Sequence, residues 1–355
     1  MGTGDYAQLH PLRRARRARP LLRVTMRRRL LPLFALCRSV TSTAVHPPLR
    51  PPRAIALDLD GTLFNSAGDV SQLTCRALRT YVEQGGTAVL ATGRGRSTAV
   101  RVASELEAVG VVIECIVCSD GAIALQRNTH GRSPEDAWSI LWTDMRPGRE
   151  YPLDALRAAL PGASFCAEVD GLGGSIIDSE HYISTIRERS PAYAARFFAG
   201  RHVTPDFDRV FGAAERVGWL RAIPASASEA DAEKLCACVA AVLSREAPRS
   251  ELHVALTTVQ SLRGLGALTI LRRGTDKSRG LAAVSAALGI EAADVLAFGD
   301  HNNDLGMFEW AGQSLCPANA NERAKAAATL CSHLSNDEDF IVDALEGVKH
   351  AEARL

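Results

Sequence analysis

Asp58 and Asp60 stand two residues apart in Asp58-Leu59-Asp60-Gly61-Thr62-Leu63-Phe64, directly after the apolar run Ala54-Ile55-Ala56-Leu57. If that run is a strand, both carboxylates lie at its carboxyl end, where open α/β sheets bind ligands. Gly61 permits the tight turn that brings main-chain N–H groups towards an anion. Taken alone, the segment has a second, less favoured reading as a capped strand-to-loop turn. Thr92-Gly93-Arg94 follows a second strand-like run and places a hydroxyl and a flexible backbone where they can donate to the same anion. Lys277 lies in Gly274-Thr275-Asp276-Lys277-Ser278-Arg279-Gly280 at a predicted helix start, where the cation and the helix N-terminus would both face an anion. Residues 54–355 contain four Lys and 25 Arg, so a compact point charge is used here where Arg is the default. The alternative reading of Lys277 is a solvated helix-start charge.

Phe298-Gly299-Asp300-His301-Asn302-Asn303-Asp304 is a more specific signal, again a strand end opening into a helix. With Asp58 and Asp60, Asp300 and Asp304 would put four acids on one rim, a repulsive arrangement without a counter-ion. A hard cation with oxygen ligands, such as Mg²⁺, resolves it. Asp304 has a second reading as a simple N-cap, and His301 is expected to face solvent or substrate from its loop.

These pieces need a sheet to hold them at one edge. From Arg53 onward short β-rich runs alternate with helical patterns, which predicts βαβ units and a parallel sheet. Strands are expected at 54–57, 87–91, 111–118, 267–271 and 295–298, and helices at 70–84, 97–108, 278–288 and 304–311. The fold class is thus α/β, a doubly wound parallel sheet. Between about 126 and 262 the pattern changes to strand-like pieces (139–142, 218–223, 252–256) with helices near 153–160 and 229–243, as expected of an inserted α+β domain. The division is therefore 1–53, a core of 54–125 with 263–346, and an insert of 126–262. Gly264 and Gly266 precede a strand instead of following one, and a third glycine is missing, so no dinucleotide fingerprint is read there.

The chain has 355 residues, 46% apolar and 23% charged, enough for a large core and about two domains. No apolar run reaches the length of a membrane span, the longest being Leu30-Leu31-Pro32-Leu33-Phe34-Ala35-Leu36-Cys37. The net charge of +1 hides an asymmetry: residues 1–53 hold 12 Arg and one acid, while the remainder holds 29 basic against 39 acidic groups. That acidic body disfavours nucleic acid as a partner. The basic, acid-poor start, hydroxyl-rich at 39–43 and Pro-rich at 47–52, reads as a mitochondrial targeting segment, with a secretory signal from Met26 or a plain tail of a cytoplasmic protein as alternatives. Nine cysteines are too sparse for a disulfide scaffold. Cys115 and Cys118 read as part of a buried strand, and Cys236 and Cys238 as part of a helix.

With the four motifs in order, the chain resembles the haloacid dehalogenase (HAD) superfamily of phosphotransferases, and within it the Cof-type phosphatases with a type-IIB cap between the second and third motifs. The resemblance covers about residues 53–346, including Asn319-Ala320-Asn321-Glu322 and Ser335-Asn336-Asp337-Glu338-Asp339. It implies that Asp58 attacks the phosphoryl group to give an aspartyl-phosphate and that Asp60 serves as acid, then base. Thr92, Gly93, Lys277 and Asn303 would bind phosphate, and Asp58, Asp60 through its carbonyl, Asp300 and Asp304 would hold Mg²⁺. The implied substrate is a small phosphorylated metabolite such as a sugar phosphate, pyridoxal phosphate or nucleotide. A sugar phosphomutase is the alternative, with Arg187, Arg189, Arg196 and Arg201 available for a second phosphate, and a non-catalytic binding module is a third reading. Two residues depart from the pattern: Asp120 stands where Asn is usual, and Phe340 where a small residue is.

Overall fold

The computed structural model describes residues 51–128, 137–170, 174–198, 203–226, 228–259 and 265–352. Residues 1–50 of the basic segment, and Arg201, lie outside them. The strands are β1 (Ala54–Leu57), β2 (Thr87–Ala91), β3 (Cys115–Cys118), β4 (Ile123–Arg127), β5 (Trp138–Thr143), β6 (Ser164–Val169), β7 (Gly174–Ile177), β8 (Val217–Ile223), β9 (Leu252–Val259), β10 (Leu265–Arg272), β11 (Val295–Phe298), β12 (Gln313–Cys316) and β13 (Leu330–Cys331). The helices are α1 (Gln72–Glu83), α2 (Arg96–Ala108), α3 (Leu153–Ala159), α4 (Glu180–Arg189), α5 (Pro191–Phe198), α6 (Phe207–Ala213), α7 (Glu229–Glu246), α8 (Lys277–Leu288), α9 (Leu305–Trp310), α10 (Glu322–Ala327) and α11 (Phe340–Glu352).

Eight strands form a sheet in the order β13-β12-β11-β1-β2-β3-β4-β5. It is parallel from β13 to β3 and turns antiparallel at β4 and β5. Strand alternation explains its two buried faces. Ile55, Leu57, Leu90, Ile116 and Phe298 pack with residues of α1, α2 and α11, whereas Ala54, Ala56, Val89, Val117 and Ala297 pack with α8, α9 and α10. A sheet covered on both sides selects continuous apolar runs, which is why its strands are legible in the sequence. The chain leaves β1 for β2 on one side and β11 lies on the other, so the strand order switches between β1 and β11. Ligand clefts form outside such a switch point.

The second sheet has five antiparallel strands in the order β7-β6-β8-β10-β9. One face packs on residues of α3, α6 and α7, and the other on residues of α4 and α5.

Two strands cross the boundaries expected from the sequence. The 138–143 strand, assigned to the insert, pairs with β4 as the edge of the large sheet. The hairpin partner is close in sequence, so local pairing wins over the change of pattern that suggested an insert. The 265–272 strand, assigned to the large sheet, lies between β8 and β9 in the small one. It is buried on both faces, and an apolar run of that kind looks the same in either sheet. Cys115 and Cys118, three apart on β3, belong to clusters on opposite faces of the sheet, which excludes a shared metal.

Candidate active site

The four motifs converge at the carboxyl ends of β1, β2 and β11 and the start of α8. Asp58 continues β1, its N–H donating to the Phe298 carbonyl at 3.0 Å. The chain then turns at Gly61, whose φ of +78° favours glycine and whose missing Cβ makes room: an added one would lie 2.4 Å from Asp300 Oδ2. Thr62 Oγ1 donates to Asp300 Oδ1 at 3.2 Å, tying the first motif to the last.

Lys277 opens α8, whose N-terminus is capped by Asp276 through the N–H groups of Ser278 and Arg279. The Lys277 side chain is fully buried and donates to Asp58 Oδ1 at 2.5 Å and Asp304 Oδ1 at 2.6 Å. The solvated reading is therefore excluded. Burial opposes its charge, but Asp304, Asp58 and Asp120 outweigh that and hold the ammonium protonated. Asp304 turns its other oxygen back to the N–H groups of Asp300 and His301, both at 2.9 Å, and does not cap α9. It thereby fixes the loop that presents Asp300.

Carboxylate oxygens of Asp58, Asp300 and Asp304 lie within 4.8 Å of one another. All three residues are buried. Three carboxylates against one ammonium leave a deficit of two charges, and the acids respond as electrostatics requires. Burial, with Asp304 and Asp60, pushes Asp58 up to about 8 against the pull of Lys277. Burial, with Asp58 and Asp304, holds Asp300 well above the usual carboxylate range. Hard oxygen donors around one point with this deficit fit a divalent cation such as Mg²⁺.

Asp60 has a different partner. Arg94 forks onto it, Nε to Oδ2 at 2.7 Å and Nη2 to Oδ1 at 2.5 Å. The guanidinium itself sits 3.5 Å from the Phe197 ring centroid and 4.8 Å from that of Tyr193, both on α5. Thr92 is buried, and its hydroxyl oxygen accepts from the Arg94 N–H at 3.1 Å. Gly93 lies so close to Asp120 that a Cβ would meet Oδ1 at 2.6 Å. Asn303 Nδ2 donates to the same Asp120 oxygen at 3.1 Å. All eight residues singled out in the sequence thus come to one rim: Asp58, Asp300, Asp304 and Lys277 as a cluster, Asp60 beside it on Arg94, and Thr92, Gly93 and Asn303 around Asp120.

His301 is buried, so it does not face solvent, and burial holds its pKa below the ordinary value. Phe340 fills core space, edge-on to Phe298 with centroids 6.0 Å apart. Asp120, at φ +51°, faces Arg221 of β8 at 3.6 Å. Arg221 lies over the Trp219 ring and donates from Nε to Thr269 Oγ1 at 3.0 Å. Sequence reasoning missed Arg94 and Arg221 as site residues. Arg94 was within reach, as the third residue of Thr92-Gly93-Arg94; Arg221 carries no local signal. Arg196, considered for a second phosphate, instead binds Asp69 and Glu105 at 2.7 and 2.8 Å.

A family profile of haloacid dehalogenase-like hydrolases matches residues 55–133 and 228–345. A chloroplastic endoribonuclease YBEY of Arabidopsis thaliana is 25% identical over 293 residues, which are 82% of this chain and 45% of that protein, so the chain spans under half of that relative. The 5-amino-6-(5-phospho-D-ribitylamino)uracil phosphatase YwtE of Bacillus subtilis is 25% identical over 84% of this chain and its own whole length. A crystallised HAD subclass IIB sugar phosphatase shares the fold at a TM-score of 0.61 and 20% identity, over 84% of this chain and 98% of its own. No helix among the described residues is long and apolar enough to cross a membrane. The profile covers more than half of the chain, and with the motif geometry and the shared fold it shows that the chain belongs to the haloacid dehalogenase-like hydrolases.

Proposed function

We propose that the protein is a Mg²⁺-dependent phosphatase of small organic phosphomonoesters, working through a phosphoaspartate on Asp58. The observation that carries this reading is the buried cluster of Asp58, Asp300 and Asp304 around Lys277, two charges short of neutrality. Mg²⁺, when bound, would screen nucleophile and phosphoryl group from each other. Asp58, Asp300 and the Asp60 carbonyl would hold it, with Asp304 acting through water.

In the first step an Asp58 oxygen attacks phosphorus, the bond to the leaving oxygen breaks, and Asp60 gives that oxygen a proton. In the second, Asp60 takes a proton from a water that attacks the phosphoaspartate, releasing phosphate and restoring Asp58. Arg94 sets the plane of the Asp60 carboxyl. Lys277, the Thr92 hydroxyl, the Gly93 N–H and Asn303 are assigned to the non-reacting oxygens, where charge develops.

The test is phosphate release from sugar phosphates, pyridoxal phosphate and nucleoside monophosphates, with Mg²⁺ and with chelator. Turnover of at least one that disappears with chelator and returns with Mg²⁺ is expected. No release from any of them, or turnover only after a sugar bisphosphate is added, would overturn the phosphatase reading, the second outcome in favour of a mutase.

A further inference from the structure

Cys316 ends β12 and Cys331 ends β13, and the two residues are register partners in a parallel pair. Partners in adjacent strands present their side chains to the same face, and here the sulfurs lie 3.3 Å apart. Disulfides need Cα atoms about 4.4–6.8 Å apart, and neighbouring strands stand about 4.8 Å apart. Bond closure therefore asks for side-chain rotation and no movement of strands. The remaining close spacings do not offer this: Cys115 and Cys118 face opposite sides of β3, and Cys236 and Cys238 are two apart on α7, a spacing that does not face.

We propose that Cys316 and Cys331 form a reversible disulfide, a redox modification site at the edge of the eight-stranded sheet. The two thiols are unequal. Cys331 is exposed on the edge strand and Cys316 is buried beneath it. Burial, with Cys331 beside it, keeps the Cys316 thiol protonated, so Cys331 reacts first. As thiolate it attacks one sulfur of glutathione disulfide and expels a glutathione thiolate. Cys316 then gives up its proton, attacks the Cys331 sulfur and expels the second glutathione. Two protein thiols are oxidised and one glutathione disulfide is reduced to two thiols, which balances the exchange.

The bridge would close the segment between β12 and β13, which backs the loop that presents Asp300. Within it the Asn321 N–H donates to the Asp300 carbonyl at 3.0 Å, and the Asn321 amide donates to Asn302 Oδ1 at 3.2 Å. Oxidation therefore stiffens the support of Asp300 from behind.

The full chain, equilibrated in glutathione buffers of graded ratio, alkylated and digested, should yield one peptide pair joining Cys316 to Cys331. Dithiothreitol should separate it, and the oxidised protein should melt several degrees higher than the reduced one. Cys331→Ser, on the exposed strand, should keep the reduced protein's melting point and lose both the bridge and the rise. Alkylation of both residues as free thiols in excess glutathione disulfide would overturn the proposal. So would a Cys331 that stops at the glutathione adduct.

Discussion

Asp58 and Asp60 are two residues apart and have different ionic partners, Lys277 for the first and Arg94 for the second, and different partners predict different defects. On the proposed mechanism Asp58→Asn keeps the shape and removes the nucleophilic carboxylate, so phosphate release should fall at least about a thousandfold on every substrate. Asp60→Asn keeps the nucleophile and removes the proton donor. Its loss, about 10²–10⁴-fold on an alkyl phosphate, should be much smaller on nitrophenyl phosphate, whose leaving group needs no proton. Equal losses on the two substrates would sink the acid role of Asp60. The charge deficit makes a second prediction. Without metal, Asp58 keeps a proton up to about 8 that it sheds near 3.8 when unfolded. A raised folded-state pKa stabilises at low pH, and that stability drains as pH rises from about 4 through about 8, by at most about 1.4 kcal/mol per pH unit for one group. On the proposed reading Mg²⁺ would replace the proton, so the increase in melting temperature on adding Mg²⁺ should grow from about pH 6 to about pH 8. An increase that is flat or shrinks over that range would argue that the cluster does not bind the cation.

At the scale of elements, what the sequence showed depended on how local the determinant was. The ends of β1, β2 and β11 and the start of α8 are legible because a run buried on both faces breaks into polar and glycine residues at one point, and those residues are the site. The pairing of β5 with β4 and of β10 with β8 and β9 is set by tertiary contacts that leave the same apolar pattern in the sequence, so both strands were assigned to the wrong sheet. Arg221 was hidden for a related reason. It is one arginine in a mixed strand, and only the sheet's approach to the rim brings it to Asp120. That pair carries a prediction about selectivity. Asp120 supplies Arg221 with a counter-charge, so Asp120→Asn should release the guanidinium to substrates whose leaving group bears a second acid. Their kcat/KM should rise by about tenfold relative to neutral ones, the worth of a charge-assisted hydrogen bond. Arg221→Gln should move the ratio the other way. Unchanged ranking in both variants would show that β8 does not select the substrate.

At the scale of the whole molecule the two sheets are clamped by groups that meet around the rim. Glu168 of β6 accepts from the Arg96 N–H at the start of α2 at 2.8 Å, Arg96 pairs with Asp170 at 3.3 Å, and Arg196 of α5 holds Asp69 and Glu105. With the Phe197 and Tyr193 rings over Arg94, these contacts tie the second sheet and its helices to the loops that follow β1 and β2. The working unit is defined at its start in equal detail. The Arg53 N–H donates to the Asp294 carbonyl at 2.9 Å, the Thr87 N–H donates to the Arg53 carbonyl at 3.0 Å, and the Tyr81 hydroxyl donates to the Pro52 carbonyl at 3.0 Å. These bonds hold the entry to β1 against β2 and β11, and none of them needs a residue before Pro52. A chain beginning at Pro51 should therefore match the full chain in melting temperature and in phosphate release. One beginning at Ala54 loses the bonds made by Pro52 and Arg53 at the edge of a central strand, each worth about 0.5–1.5 kcal/mol, and should melt measurably lower while keeping its substrate ranking. Loss of activity in the Pro51 chain at an unchanged melting point would show that the Arg-rich segment takes part in the reaction. An equal melting point for the Ala54 chain would show that the fold begins at β1 itself.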